Sequence, residues 1–307
     1  MKLSILVPVY NEDESLSPLY RKLHKVLKSH KYNYEIIFIN DGSTDDTEKE
    51  ILKLIKKDKN IHLISFQKNY GKSAALSVGF KKAKGDYLVT MDGDLQDDPE
   101  EIPNLIAKLE EGYDLVSGWK FKRYDPITKT VPSKLFNFVL RLFSKVKIHD
   151  FNCGLKIYKK PVYKALDVYG SLHRFLPALS AWLGFRVTEI KVHHHKRKFG
   201  KSKFGAGRFS KGLFDFLTVI FLNKYIKRPL HLFGGLGFLF GTIGVLMSGY
   251  VFYIRIVTGT IQARLPLFLG GVLLILVGIQ LFSIGLLAEI FVKNTKSKDD
   301  YIIKLEK

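Results

Sequence analysis

The sequence predicts an α/β domain built on a largely parallel sheet, followed by a pair of membrane-spanning helices. Three observations carry that prediction. Short apolar runs alternate with amphipathic stretches from residue 1 to about 225; polar, acidic motifs close several of those runs; and two long stretches between 230 and 292 are almost free of charge.

The first strand is Leu3–Val9, inside an apolar start (MKLSILVPVY) that turns polar at Asn11 and is too short for a signal peptide. Leu16–Leu27 follows, with apolar residues three and four apart, the spacing of a helix with one buried face. Glu35–Asn40 is the next strand, Ile51–Ile55 the centre of the next helix, and Ile61–Phe66, Tyr87–Met91 and Asp114–Ser117 are further strands. Strands separated by helices imply βαβ crossovers and a sheet covered on both faces. Ligands of such sheets collect at the carboxyl ends of the strands.

Leu230–Ile254 and Leu265–Ala288 each reach the roughly 20 residues needed to cross a hydrocarbon core. The bland alternative is a buried helical hairpin in a soluble protein. Lys224, Lys227 and Arg228 precede the first run and Lys293, Lys296 and Lys298 follow the second, while the connecting loop holds Arg255 and Arg264. That bias places both ends of the chain in the cytoplasm. Pro132–Lys147 and Gly207–Tyr225 mix Phe and Leu with Lys and Arg, as helices in the headgroup plane do, or as ordinary amphipathic packing would. The expected organisation is a catalytic domain over 1–206, a juxtamembrane amphipathic helix over 207–228, a transmembrane hairpin over 229–292 and a cytoplasmic tail over 293–307.

Charge narrows the partners. Lys and Arg number 49 against 29 Asp and Glu, a formal charge of +20. Such an excess points to a polyanion. Its concentration beside the membrane segments favours lipid phosphate, so no nucleic-acid partner is expected. One cysteine, Cys153, excludes an internal disulfide and reads as a small packed residue. His193, His194 and His195 are consecutive, and in an extended segment neighbours face opposite ways, so they do not read as a zinc site.

The sharpest motif is Asp92-Gly93-Asp94-Leu95-Gln96, directly after a strand. Two carboxylates one residue apart can share Mg²⁺ or Mn²⁺, which take oxygen ligands and are often bound by one or two carboxylates plus substrate phosphates. Gly93 is read as permitting a tight turn, and Gln96 offers a further oxygen. Asn40-Asp41-Gly42-Ser43-Thr44 closes another strand: Ser43 or Thr44 could cap the next helix, and Asp41 could accept hydrogen bonds from a nucleobase or ribose. Pro8-Val9-Tyr10-Asn11-Glu12 closes the first.

The segments VPVYNEDESL, NDGSTDDT, GKSAALSVGF, MDGDLQDDPE and DFNCGLKIY, in this order, resemble the family 2 glycosyltransferases of the nucleotide-diphospho-sugar transferase (GT-A) fold. Within that family the pattern is most similar to the polyprenyl-phosphate glycosyltransferases, the bactoprenol glucosyltransferases and dolichol-phosphate mannose synthases. The resemblance implies that Pro8, Tyr10, Glu12 and Asp41 hold the nucleoside. Asp92 and Gly93 would contact the nucleotide-sugar, and Asp92, Asp94 and Gln96 would hold metal and diphosphate. It also places Asp94 and Asp150 near the reacting centre. The implied donor is UDP-glucose or UDP-N-acetylglucosamine, the acceptor undecaprenyl or dolichyl phosphate, and the cofactor Mg²⁺ or Mn²⁺. Relatives with two membrane helices can assemble as tetramers, so a homo-oligomer is implied as well.

A phosphate monoester has a second pKa of about 6 and needs no general base to attack the anomeric carbon. What it needs is positive charge. Lys120, Lys122 and Arg123 follow a strand, Lys134 and Lys156 flank Asp150, and Arg197 to Lys203 includes Ser202 in an element similar to the R-x-x-G-x-S-K of the family. Arg197, Ser202 and Lys203 could equally form a juxtamembrane patch for anionic lipid. Trp119 stands where the mannose branch carries an arginine, which shifts the acceptor contacts toward Lys120, Lys122 or Arg123. The Q-x-x-R-W element of processive synthases is missing, so one sugar is transferred, with inversion. The alternatives are transfer to another lipid or glycan acceptor, and a flippase subunit.

Overall fold

The computed structural model describes residues 1–121, 137, 140, 141, 144, 146–170, 172–195, 228–260 and 264–294. The chain divides into two compact units, Met1–Asp215 and Phe216–Lys307. In the first, strands β1 (Lys2–Val9), β2 (Asn33–Asn40), β3 (Ile61–Ser65), β4 (Tyr87–Thr90), β5 (Leu115–Lys120), β6 (Lys156–Lys159) and β7 (Val187–Val192) form one sheet in the order β3-β2-β1-β4-β6-β5-β7. Helices α1 (Asp13–Ser29), α2 (Thr47–Lys57), α3 (Lys72–Lys82) and α4 (Ile102–Glu110) follow β1 to β4 in turn, and two short helices, α5 (Lys160–Ala165) and α6 (Leu176–Trp182), come later.

β1 runs parallel to β2 and β4, and β2 parallel to β3. Leu3, Ile5, Leu6 and Val7 of β1 and Ile36, Phe38 and Ile39 of β2 are fully or almost fully buried, as strands covered on both faces must be. α1 contributes Leu16, Leu19, Leu23 and Leu27 to the same core. The expected parallel sheet is interrupted at one place. β6 runs antiparallel between β4 and β5, and β5 then pairs in parallel with β7. Neither β6 (KIYK) nor β7 (VTEIKV) stands out in the sequence, because each is short and carries charge.

The second unit contains α7 (Pro229–Thr258) and α8 (Leu265–Asn294), each long and apolar enough to cross a membrane. Phe238, Leu246, Phe252 and Phe291 are each 66% exposed or more, which suits lipid and not the interior of a soluble core. Glycines line the contact between the helices. A Cβ on Gly237 would fall 2.6 Å from the carbonyl oxygen of Gly278, and one on Gly244 would fall 2.5 Å from that of Gly271. The backbones therefore approach as small-residue membrane interfaces do. The Glu289 carboxylate accepts the Leu230 N–H at 3.3 Å, meeting an orphan amide and the positive end of α7. All but Arg228 of the interfacial helix expected over 207–228, most of the tail and most of Pro132–Lys147 lie outside the described residues.

Candidate active site

Strands β1, β2, β4 and β5 end on one edge of the sheet, and β6, running the other way, begins there. The strand order reverses between β1 and β4, the place where an open α/β sheet leaves a crevice. A shallow recess opens here, lined among others by Pro8, Lys72, Asp92, Asn152, Lys156 and His173.

The first two acidic loops are laced to each other. Asp41 N–H donates to the Val9 carbonyl at 2.9 Å, Asn11 N–H to Ser43 Oγ at 2.9 Å, Thr44 N–H to Asn11 Oδ1 at 2.8 Å and Glu12 N–H to Thr47 Oγ1 at 2.9 Å. Ser43 and Thr44 thus bind the neighbouring loop and do not cap α2, whose cap position is Asp46. Asp41 is buried, and its two carboxylate oxygens accept the Tyr70 and Gly71 N–H groups at 2.7 and 2.9 Å. Burial raises its pKa against those hydrogen bonds.

In the third loop Gly93 is needed for close approach and not for a turn. A Cβ there would meet Val9 Cγ1 at 2.9 Å, while the left-handed residue is Leu95, at φ 60°. Gly154, inside DFNCGLKIY, passes so near the Asp92 carboxyl that a Cβ would lie 2.7 Å from its Cγ. The Asp92 N–H donates to Asp97 Oδ2 at 3.3 Å, and the Gln96 N–H to the buried Asp94 at 3.2 Å. The histidine run clasps the continuation of this loop. His193 Nδ1 lies 2.6 Å from Glu101, His195 Nε2 lies 2.7 Å from Asp98, and His195 N–H donates to the Gln96 carbonyl at 2.9 Å.

Three lysines surround the acidic edge. Lys72, the first residue of α3, pairs with Asp92; Lys120 sits 3.3 Å from Asp97; Lys156 is buried and donates to the Cys153 carbonyl. Burial opposes ionisation of Asp92, but Lys72, Lys120 and Lys156 outweigh it and hold the carboxyl well below the usual range. Burial pulls Lys156 below the ordinary lysine value and pushes the Cys153 thiol up to about 12, so that cysteine is inert.

His173 contacts Ser73 Oγ at 2.8 Å, and burial, with Lys72 next, brings its pKa down to about 3. The unfolded chain takes up this proton near pH 6.5 and the folded one does not. Stability is therefore expected to fall as pH drops from about 6.5 toward about 3, by up to about 1.4 kcal/mol per unit. His173→Asn should flatten that part of a melting-temperature profile against pH; an unchanged slope would remove His173 as its source.

Asp92 and Asp94 offer hard oxygen donors at one strand end, and the Lys72 ammonium against Asp92 marks a position where positive charge is favoured. Among the described residues no group of three His, Cys, Asp or Glu forms a metal cage. The donor set fits a divalent ion held by two carboxylates, with Gln96 beside them and substrate phosphates completing its shell. Asp150 is buried beside this edge, its Oδ1 accepting the Asn152 N–H at 3.1 Å, which shapes the turn before Gly154. Pro8, Tyr10 and Glu12 lie at the end of β1 as the motif order predicts. Lys122, Arg123, Lys134, Arg197, Ser202 and Lys203 lie outside the described residues. Sequence reasoning missed Lys72 and His173; the first lies within GKSAALSVGF, where it opens a helix directly after a glycine.

This geometry has relatives. Residues 4–167 match the family model described as glycosyl transferase family 2. The chain is 34% identical over 313 residues to a dodecaprenyl-phosphate galacturonate synthase of Rhizobium johnstonii, covering 99% of this chain and 92% of the relative. It is 35% identical over 289 residues to an undecaprenyl-phosphate 4-deoxy-4-formamido-L-arabinose transferase of Pseudomonas fluorescens, covering 94% and 83%. Among solved structures it is similar to glucosyl-3-phosphoglycerate synthase of Mycobacterium tuberculosis in complex with Mn²⁺, UDP and phosphoglyceric acid (TM-score 0.57, 18% identity, 71% of this chain and 78% of the other). It is also similar to mannosyl-3-phosphoglycerate synthase of Rubrobacter xylanophilus (TM-score 0.59, 11% identity, 73% and 75%). At those identities the likeness is one of fold, and the fold is that of the GT-A sugar transferases. The chain belongs to glycosyl transferase family 2.

Proposed function

We propose that this chain transfers one sugar from a nucleotide-sugar to a polyprenyl phosphate, with inversion, at the cytoplasmic face of a membrane. The observation that carries the reading is the convergence of Lys72, Lys120 and Lys156 on the Asp92–Asp97 edge, beside the interlaced loops that follow β1 and β2. Such an edge suits two anionic groups held side by side, a donor diphosphate and an acceptor phosphate. The two relatives named for polyprenyl-phosphate chemistry cover nearly the whole chain, including the helix pair, which supports the lipid acceptor. The charge flanking α7 and α8 supports cytoplasmic termini.

In this reading the end of β1 and Asp41 hold the nucleoside, and Asp92, Asp94 and Gln96 hold a divalent ion. A bound Mg²⁺ or Mn²⁺ would neutralise charge on the departing nucleoside diphosphate. The acceptor phosphate is already an anion at neutral pH, so the residues around it orient it and need not remove a proton. Lys120, with Lys122, Arg123, Lys134, Lys156 and the Arg197–Lys203 element, supplies the positive charge for that. Asp150 keeps a supporting position through the turn it shapes. The donor assigned is UDP-glucose or UDP-N-acetylglucosamine; the relatives' names add galacturonate and 4-deoxy-4-formamido-L-arabinose as sugars to test.

Nucleoside diphosphate release by the full chain in detergent tests this, with a panel of UDP- and GDP-sugars, polyprenyl phosphate, and Mn²⁺ or Mg²⁺. Release that requires both lipid phosphate and metal is expected. Consumption of donor with an alcohol or glycan acceptor, and none with any lipid phosphate, would overturn the acceptor assignment.

A further inference from the structure

Lys72 has no assignment among the residues expected to bind donor, metal or acceptor, yet it makes the most direct contact with the acidic pair. Its ammonium rests on Asp92 Oδ1, and both side chains are 33% exposed. Its two neighbours are anchored elsewhere, Lys120 on Asp97 and Lys156 on the Cys153 carbonyl. The chain leading to Lys72 is fixed from the opposite loop, because the Asp41 carboxylate accepts the Tyr70 and Gly71 N–H groups. Gly71 has open space around it, so it is glycine for its φ of 91°, the turn that starts α3 and points its first residue at Asp92. Two acidic strand ends are thereby linked: Asp41 holds the turn, and the turn delivers Lys72 to Asp92.

A divalent ion approaching Asp92 from solvent must displace that ammonium and stay near three lysines. Like charges in a partly buried site disfavour this strongly. A nucleotide-sugar changes the balance, since its diphosphate brings two negative charges that can take over the displaced ammonium and complete the ion's shell.

We propose that Lys72 occupies the cation position at Asp92 in the empty enzyme and passes to the donor diphosphate when nucleotide and divalent ion enter together, so that metal binding is conditional on nucleotide. Asp41 serves as a positioning residue for this exchange. The inference rests on the reading of the edge as a nucleotide-sugar and metal site. By reciprocity, the metal raises nucleotide affinity by the same factor as nucleotide raises metal affinity.

The test is Mn²⁺ binding to the full chain in detergent, followed by the electron paramagnetic resonance signal of free Mn²⁺, with and without UDP or GDP. The native enzyme should bind Mn²⁺ at least about tenfold more tightly with its nucleotide. Lys72→Met should bind Mn²⁺ more tightly than the native enzyme when nucleotide is absent, and most of the coupling should vanish. Lys72→Arg should keep it. Lys72→Gln serves as a second neutral variant if the methionine protein does not fold, as judged by its melting temperature. Equal native affinity with and without nucleotide overturns the proposal, as does a neutral variant that binds bare Mn²⁺ no better than the native protein. Failure of the native enzyme to bind Mn²⁺ even with UDP or GDP is a different result, and it overturns the metal site itself.

Discussion

An Asp94→Asn enzyme is expected to lose about 10³-fold or more of its sugar-transfer rate while keeping its fold. Asp94 is buried, and its Oδ1 accepts the Gln96 N–H at 3.2 Å, a bond that an asparagine oxygen can also accept. What changes is one negative charge at the place where the proposed function puts a divalent ion and a diphosphate. Electrostatic stabilisation of a leaving group by a bound ion is worth several kcal/mol, and about 4 kcal/mol corresponds to roughly three decades of rate at 1.36 kcal/mol each. Nucleoside diphosphate release at saturating donor measures it, and the melting temperature of the same preparation monitors the fold. A loss smaller than about tenfold, with the melting temperature unchanged, would mean that Asp94 is not a ligand of the reacting assembly.

Gly278→Leu is expected to disrupt the helix pair, at a cost of about 3 kcal/mol or more. An ordinary overpacked core gives by 1–3 kcal/mol, but here the obstacle is backbone. A Cβ at Gly278 would lie 2.6 Å from the Gly237 carbonyl oxygen and 2.8 Å from the Gly241 nitrogen, and neither can rotate away. The control is Gly249→Leu, a position in the same helix pair with nothing within 4 Å of its Cβ, where the change should stay within about 0.5 kcal/mol. Retention of a single elution peak after graded heating in detergent separates the two. If both variants melt together, the close glycine contact does not hold the hairpin.

Much of this architecture is legible in the chain, for identifiable physical reasons. β1, β2 and β4 are mostly apolar runs, with Ser4, Glu35 and Thr90 as buried polar members, that give way to polar loops at Asn11, Asp41 and Asp92, and burial on both faces favours that pattern. β6 and β7 escape notice because four to six residues carrying lysine and glutamate do not show the periodicity of a buried strand. β7 is an edge, where charge is the usual protection against stray pairing. Asp41, Asp92 and Asp94 are visible because they follow strand ends, whereas Asp150 precedes β6 and is marked only by the resemblance of its segment. Lys72 is not visible, because its meaning lies in a contact with a residue twenty positions away. Ser43 shows the converse error: its spacing suits a helix cap, yet a tertiary partner, the Asn11 N–H, takes the hydroxyl. Gly93 likewise has the right identity for a reason that only the facing Val9 side chain reveals.

The reversed strand β6 has a consequence for the order in which the protein becomes an enzyme. β4 and β5 do not pair with each other; each pairs with β6, so residues 156–159 are the seam joining two smaller sheets. Asp92 stands on one side of that seam and Lys120 on the other, with Lys156 in the seam itself. A nascent chain translated through Asp94 already carries both carboxylates of the motif, together with Lys72, but neither Lys120 nor Lys156. Pairings this distant in sequence form late, since the intervening chain must be closed first. The half-made protein therefore displays an acidic loop with Lys72 but without the two later lysines that complete its counter-charge. All three lysines face the acidic edge only once the seam is closed.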